Sequence, residues 1–296
     1  MKYALGIDLG ATNIKALAVS LQGRVLLQTS LPTNDTGTPE WKQNVLRVAD
    51  KLSTRMGAAP ACIGLAAPGL AAKDHRSIVS MPGRLTGLEG LVWQEFFKTR
   101  RTVPVLNDAQ AALLGEVWCG AARGTRNAML LTLGTGVGGA ALVDGHLLRG
   151  HLGRAGHLGH ISLDPEGGLD IVRTPGSLEE AIGDYTVKLR SQGRFASTQA
   201  LVAASKTDPE AQCLWLKSVQ ALSAGIASLI NVLDPEVVVI GGGIARAGHA
   251  LFDPLIKFLD CFEWRPSGAR VRVVAAKLGE RAGALGAAWK AIHVHD

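Results

Sequence analysis

Residues 3–20 read YALGIDLGATNIKALAVS. Tyr3–Asp8 has the pattern of a buried strand, Leu9–Asn13 is a turn of small residues, and Ile14–Ser20 is a second apolar run. Leu21–Arg24 punctuates the chain before a third run, Val25–Thr29. Strand, tight turn, strand, turn, strand predicts an antiparallel opening.

The second half of the chain repeats this opening. Asn127–Leu133 is an apolar strand, Gly134–Gly139 (GTGVGG) a glycine-rich turn, Ala140–Asp144 the next strand, and Asp144-Gly145 a hairpin signal. The repeat is structural and not a sequence repeat of the solenoid kind. Two similar α/β lobes facing each other would bring both turns to one cleft. Between the openings the spacing predicts a helix over Pro39–Met56, with Trp41, Val45, Val48 and Leu52 on one face. A strand follows at Ala61–Ala66, ending in Ala67-Pro68-Gly69, and a helix at Leu91–Lys98. Val103–Leu106 is a strand running into Asn107-Asp108, and Ala109–Cys119 a helix. Later come one long helix, Ala211–Leu233, an apolar strand, Val237–Ile240, that enters Gly241-Gly242-Gly243, a strand at Arg270–Ala275, and a small-residue helix at Ala282–Ile292.

Composition narrows the functional classes. Of 296 residues, 47% are hydrophobic, which suffices for a full core and excludes a disordered chain. The 36 glycines show no collagen period and cluster at particular turns. The net charge of +6 is spread over the chain, with only Arg100 and Arg101 adjacent, so no arm or stripe suited to nucleic acid is expected. Cys62, Cys119, Cys213 and Cys261 form no CxxC pair, which argues for reduced thiols and a cytoplasmic location. No uninterrupted apolar run approaches the ~20 residues of a membrane span, so no membrane association is expected.

Four motifs carry chemistry. In Asp8-Leu9-Gly10-Ala11-Thr12-Asn13 the absence of bulky side chains lets backbone N–H groups approach a phosphate, Thr12 adds a hydroxyl donor, and Asp8 could hold Mg²⁺ through water; an ordinary glycine hairpin is the alternative. Gly134–Gly139 is not a Walker A loop, since no Gly-Lys-Ser/Thr follows, and a strand stands where a Rossmann unit needs a helix, so a second phosphate-cradling hairpin fits better. Gly241-Gly242-Gly243 makes sense where the chain passes close to a purine or ribose, or as a helix-initiating turn. Asn107-Asp108 offers either a carboxylate that takes a proton from an attacking hydroxyl or a helix N-cap.

Together and in this order the segments resemble the sugar kinases of the ROK family (repressor, open reading frame, kinase), within the actin-like and hexokinase-like ATPases. The resemblance covers almost the whole chain: residues 6–20 resemble the family's first phosphate loop, Ile63–Gly69 (IGLAAPG) a VPG segment, 106–116 (LNDAQAALLGE) the catalytic stretch, 131–145 the second phosphate loop, 230–248 the adenosine segment, and the closing LGERAGALGAAWKA the C-terminal helix. The resemblance implies an α/β, two-lobed actin-like ATPase (ribonuclease H-like) fold with a cleft between the lobes. The small lobe would hold 1–116 and be completed by 284–296, and the large lobe would hold 117–283. It implies transfer of the ATP γ-phosphate to a sugar hydroxyl, usually the 6-OH, with Mg²⁺ bridging phosphate oxygens. Asp108 would be the general base and Asn107 would hold a neighbouring hydroxyl. Gly10, Ala11, Thr12, Asn13, Lys15, Thr135 and Gly136 would contact phosphates, Gly242 and Gly243 the nucleoside. Gly69 and Arg84, in the Pro82-Gly83-Arg84 loop, would belong to the sugar side. The partners implied are ATP, a small sugar and a second copy of the chain.

The resemblance breaks at one place. Family kinases usually have a Gly-Glu-x-Gly-His segment and then a cysteine cluster that binds zinc with the His. Here the segment is Gly156-His157-Leu158-Gly159-His160: His160 matches, and His157 replaces a sugar-binding Glu. The following stretch, residues 164–180 (DPEGGLDIVRTPGSLEE), has no cysteine, with Ser177 where Cys is common and Glu179 matching the family's Glu. One His without thiolates cannot make a four-ligand site, so no zinc is expected. His160 and Glu179 would still reach sugar hydroxyls. The His157 exchange alters donors and acceptors, so mannose, fructose, an amino sugar or inositol stand beside glucose as substrates; separately, polyphosphate stands beside ATP as the donor. A sugar-responsive regulator of the same family is the rival class. Such repressors carry an N-terminal helix-turn-helix, and this chain begins its first strand at residue 3.

Overall fold

The computed structural model describes residues 2–294; residues 295 and 296, counted above with the small lobe, lie outside the described residues. The elements in chain order are β1 (Tyr3–Leu9), β2 (Asn13–Ser20), β3 (Val25–Pro32), α1 (Trp41–Met56), β4 (Cys62–Ala67), β5 (Leu70–Ala71), β6 (Ile78–Ser80), α2 (Trp93–Phe96), β7 (Val105–Asn107) and α3 (Asp108–Cys119). They continue with β8 (Ala128–Leu133), β9 (Val137–Val143), β10 (His146–Leu147), α4 (Leu178–Ile182), α5 (Val187–Arg190), α6 (Thr198–Ala204), α7 (Pro209–Leu233), β11 (Val237–Gly241), α8 (His249–Phe262), β12 (Arg272–Ala275) and α9 (Ala282–Ile292).

The chain divides into two compact units. Of the described residues, the first comprises 2–124, 148–155 and 277–294, and the second 125–147 and 156–276. The first boundary thus falls after Gly124, beyond the turn that follows α3, and not at residue 116 inside that helix. Each unit carries a five-stranded sheet of the same topology: β3-β2-β1-β4-β7 in the first and β10-β9-β8-β11-β12 in the second. In both, the opening three strands are antiparallel and the remaining two are added in parallel.

Alternation along β1 orients the first unit. Leu5, Ile7 and Leu9 face one side and pack with Trp41, Val45, Val48 and Leu52 of α1. Ala4 faces the other side with Ala284, Leu285 and Ala288 of α9, so Gly6 and Asp8, two and four residues on, share the α9 face. The small residues of α9 let it sit on the sheet at backbone contact: a Cβ on Gly6 would overlap the Ala284 carbonyl oxygen, one on Gly64 that of Ala287, and one on Gly286 that of Ala111 in α3. The second unit packs α7 and α8 on its sheet through Trp215, Leu222, Ile226, Leu251 and Leu255, with Val238 and Ile240 of β11.

Two expectations change. The helix expected over Leu91–Lys98 is a single turn, Trp93–Phe96, because Trp93, Phe96 and Phe97 satisfy each other as an aromatic cluster and Lys98 turns into a positive φ. Helix α7 has the length and hydropathy of a membrane span although no uninterrupted apolar run does. Its Trp215, Val219, Leu222 and Ile226 are core residues of the second unit, as in a core helix.

Candidate functional site

In the first unit, the carboxyl ends of three parallel strands meet. They deliver Asp8 and the Gly10–Asn13 turn from β1, Gly69 from the loop after β4, and Asn107-Asp108 from β7. Ligands of parallel α/β sheets bind at such ends. The Gly10 N–H donates to the Asn13 carbonyl at 3.1 Å, which makes the turn tight, and a Cβ on Gly10 would stand 2.9 Å from that oxygen. Ala11, Thr12 and Asn13 are exposed at its tip.

Both sequence alternatives for Asn107-Asp108 hold, one per residue. Asn107 is the N-cap of α3: its Oδ1 accepts from the Ala109 N–H at 3.0 Å and its Nδ2 donates to the Gly69 carbonyl at 2.9 Å. Asp108 begins the helix. Its Oδ1 lies 2.7 Å from the Ala109 nitrogen, while the side chain still reaches solvent. Crowding by protein raises its carboxyl above the ordinary range, against the Ala109 N–H and the Asn107 side chain, which pull it down. Asp8 is pushed up to about 7, by burial first and then by the charge of Asp108, with Lys15 opposing. Lys15 itself pairs with Glu280 at 3.3 Å. The Asp8 carboxylate packs 2.7–2.8 Å from where a Cβ on Gly283 would lie, so α9 closes its inner side.

The charge of Asp108 disfavours ionised Asp8, and a hard cation held through water would relieve it. Asp8 therefore fits the Mg²⁺ that the family resemblance implies. Arg84 lies 3.4 Å from the Ala11 carbonyl and 3.5 Å from the Asp35 carboxylate, beside a cavity of about 560 Å³ lined also by Thr12, Gly83 and Thr86. It is thus tied to the first turn before any ligand is considered.

In the second unit, the Gly134 N–H donates to the Gly136 carbonyl at 2.9 Å, folding the turn back on itself. Thr135 is exposed at the tip. Glu179 of α4 lies beneath: its Oε2 accepts the Val137 N–H at 2.9 Å, and a Cβ on Gly136 would overlap that same oxygen. Gly136 is therefore glycine to admit Glu179. Gly242 has φ +88° and would drive a Cβ into the Leu133 backbone, so its identity follows from the close approach of β11 to β8. Gly243 lines a cavity of about 600 Å³ together with Gly134, Thr135, Thr198, Lys206 and Arg246. Thr198 and Lys206 lie on or beside secondary structure that gave no motif, and Arg246, within the 230–248 segment, was not singled out there.

His157, His160 and Glu179 all lie in this unit. His157 is half-buried ahead of the short turn of helix at Leu158–His160, and burial, then the charge of His160, lower its pKa, so it is neutral at pH 7. His160 Nδ1 is 2.8 Å from Asp170 Oδ2. Glu179 is buried, and its Oε1 has no hydrogen-bond partner. Asp170 was missed in the sequence, where it stands among loop residues with no local pattern. Burial alone would raise its pKa, but the Thr174 N–H, His160, Ser177 and the Val172 N–H outweigh that and hold it below the ordinary carboxylate range.

His160, Asp170 and Glu179 each bring a possible ligand atom within 4.8 Å of the others. The set nonetheless does not fit structural zinc: it has one imidazole, whose Nδ1 faces a carboxylate already supplied with N–H donors, and no thiolate. The four cysteines are free thiols outside this group.

A family model described as ROK family matches residues 4–294, and the chain belongs to that family. It is 32% identical to the glucokinase of Thermotoga maritima, over 96% of this chain and 95% of that protein. Among solved structures, the ROK hexokinase from Thermus thermophilus matches with a TM-score of 0.86 and 30% identity, covering 98% of this chain and 97% of that one. The ROK family glucokinase from Streptomyces griseus, solved in complex with glucose and AMPPNP, matches with a TM-score of 0.77 and 26% identity, covering 98% and 99%. The fold is accordingly the two-domain actin-like ATPase fold.

Proposed function

We propose that the protein is an ATP-dependent sugar kinase that transfers the γ-phosphoryl group to a hydroxyl of a hexose, glucose and its 6-OH being the first choice. The observation that carries this reading is the division of labour at the start of α3: Asn107 caps the helix, so Asp108 keeps a solvent-reaching carboxylate whose proton affinity is raised. Such a group accepts a proton from an attacking hydroxyl more readily than an ordinary carboxylate. Asp108 removes the hydroxyl proton as the sugar oxygen attacks phosphorus and ADP leaves. Asn107 retains one N–H for a neighbouring hydroxyl, since its other polar atoms are engaged. When bound, Mg²⁺ offsets charge on the phosphate oxygens. Asp8 would hold it through water.

His157, His160 and Glu179 take the sugar. Neutral His157 offers one donor and one acceptor where a carboxylate would only accept, and this supports hydroxyl or amide substituents of either sense. Arg84 and Gly69 shape the sugar side of the first unit. Gly10, Ala11, Thr12, Asn13 and Lys15 in the first unit, and Thr135 and Gly136 in the second, are the phosphate contacts; Gly242 and Gly243 border the nucleoside. Free thiols and ATP use suit the cytoplasm, and a homodimer is the proposed assembly.

The test is ADP release by the purified protein over a panel of glucose, mannose, fructose, N-acetylmannosamine and inositol, with ATP or polyphosphate as donor. Turnover of a sugar supports the reading. Sugar binding without turnover of any would instead assign a regulator.

A further inference from the structure

We propose that Asp170 is a positioning residue: its carboxylate gathers the 169–177 loop and sets His160 as a hydrogen-bond acceptor toward the substrate, in the place where the family resemblance implies a metal. The inference rests on the sugar-kinase reading for what His160 contacts, but not for what Asp170 does.

The Asp170 side chain is completely buried. An ionised carboxylate has about four lone-pair positions, and a buried one must have them filled. Here three of them are filled by the protein. Oδ1 accepts from the Val172 N–H at 3.0 Å and from the Thr174 N–H at 2.8 Å. Oδ2 faces His160 Nδ1 at 2.8 Å. The main chain closes round the same residue: Asp170 N–H donates to the Thr174 carbonyl, Arg173 N–H to the Asp170 carbonyl, and Leu169 bridges Pro175. Leu169, Ile171 and Val172 point outward and are exposed, so the loop has no apolar core of its own. This one carboxylate orders it together with those main-chain bonds. Both oxygens of Asp170 are engaged, Oδ1 twice and Oδ2 by His160, so the group does for the loop with hydrogen bonds what a shared metal would do.

The consequence for His160 is chemical. A carboxylate without a proton can only accept, so Nδ1 carries the hydrogen, and in the neutral ring Nε2 presents its lone pair. In that form His160 receives a hydrogen bond from a sugar hydroxyl and does not donate one. The neighbouring Glu179 Oε1 is likewise an acceptor, buried and unpartnered. Two acceptors side by side select a substrate that offers two donor hydroxyls on that face, and they disfavour one in which either position is deoxygenated or alkylated.

The experiment uses the full chain, wild type and Asp170→Asn, labelled with ¹⁵N-histidine. In the wild type the His160 ring signals are expected to report a single Nδ1–H tautomer. In Asp170→Asn they are expected to move to a mixture, with the sugar KM rising about tenfold or more and the ATP KM changing less than about twofold. Asp170→Ser is the second variant, and the same split is expected from it. A zinc titration followed by mass spectrometry of the native protein is expected to give no stoichiometric ion. Four results would overturn the proposal: an Nε2–H tautomer in the wild type, unchanged ring signals in Asp170→Asn, equal losses for both substrates, or one tightly held zinc per chain. If the wild type turns over no sugar at all, the kinase reading fails, and the tautomer and zinc results still decide the role of Asp170.

Discussion

Glu179 and Val137 are joined across the second glycine-rich turn: the Glu179 Oε2 accepts the Val137 N–H at 2.9 Å, and Gly136 leaves that oxygen its space. The other oxygen of the same carboxylate is buried without a partner. One side chain therefore serves both the proposed phosphate turn and the proposed sugar contact, and a change at Gly136 reaches both. A methyl group there must displace the carboxylate or the turn, an overpacking that costs about 1–3 kcal/mol. Gly136→Ala is expected to lower thermal stability by that amount and to raise the KM for ATP and for sugar together. Gly134→Ala meets nothing within 4 Å and should change stability by less than about 0.5 kcal/mol. Calorimetry and steady-state kinetics of the two variants check the pair.

Asp108→Asn keeps the shape of the side chain and removes the base. Turnover should fall by about 10²–10⁴-fold, with sugar affinity measured by calorimetric titration held within a few fold. Because the Asp108 carboxyl is raised above its ordinary range, the acidic limb of the kcat/KM profile should lie above the usual carboxylate pKa. The rate rises with pH there, since the base must be ionised. A flat profile down to pH 4, or near-normal turnover of the Asn variant, would remove Asp108 from the role.

Asp8 carries a stability signature of its own. Its pKa rises from 3.8 to about 7 on folding, so the folded protein holds the proton more tightly than the unfolded chain. A raised carboxyl favours the fold below the unfolded value, and that contribution is lost as pH climbs through the folded value. Asp8→Asn removes the penalty at high pH. The variant is expected to be more stable than wild type at pH 8, by about 1 kcal/mol or more, with the gap closing between pH 7 and pH 4. Added Mg²⁺ should raise the melting temperature of the wild type at pH 8 more than that of the variant. Denaturation curves at three pH values, with and without the ion, measure both.

Much of this was legible from residue pattern. The apolar run of β1 and the spacing of Trp41, Val45, Val48 and Leu52 state their burial directly, and the paired strand-turn-strand openings foretold the matched sheets. Helix α9 was legible as a small-residue helix, but the reason for its composition, backbone contact with Gly6, Gly64 and α3, exists only in three dimensions. Asp170 shows the limit most clearly. Its value comes from donors supplied by residues up to ten positions away and from burial in a loop, neither of which leaves a local period. Helix α8 was also missed, although Leu251, Leu255 and Leu259 follow helical spacing, because Pro254 interrupts the run. Gly136 and Gly242 looked like ligand-driven glycines, and each is also required by a protein neighbour, Glu179 and Leu133.

Glu116 offers a last prediction. It is fully buried near the end of α3, where Oε2 accepts from the Ala121 N–H at 2.6 Å and Oε1 from the Lys277 and Leu278 N–H groups at 3.0 and 2.8 Å. Ala121 leads to the point where the chain first leaves the first unit, and Lys277 is where it last returns. One carboxylate therefore fastens the first and the last of the four passages between the units to α3. Glu116→Ala strands three N–H groups and is expected to cost about 3 kcal/mol or more. Glu116→Gln keeps one acceptor oxygen but turns an amide toward donors, and should lose less. Hydrogen exchange provides the discriminating measurement: in the Ala variant, the amides of Ala121, Lys277 and Leu278 should lose protection while those of β8 and β11 in the second unit keep theirs. Uniform loss across both units would mean that Glu116 acts on global stability and does not fasten these two segments in particular.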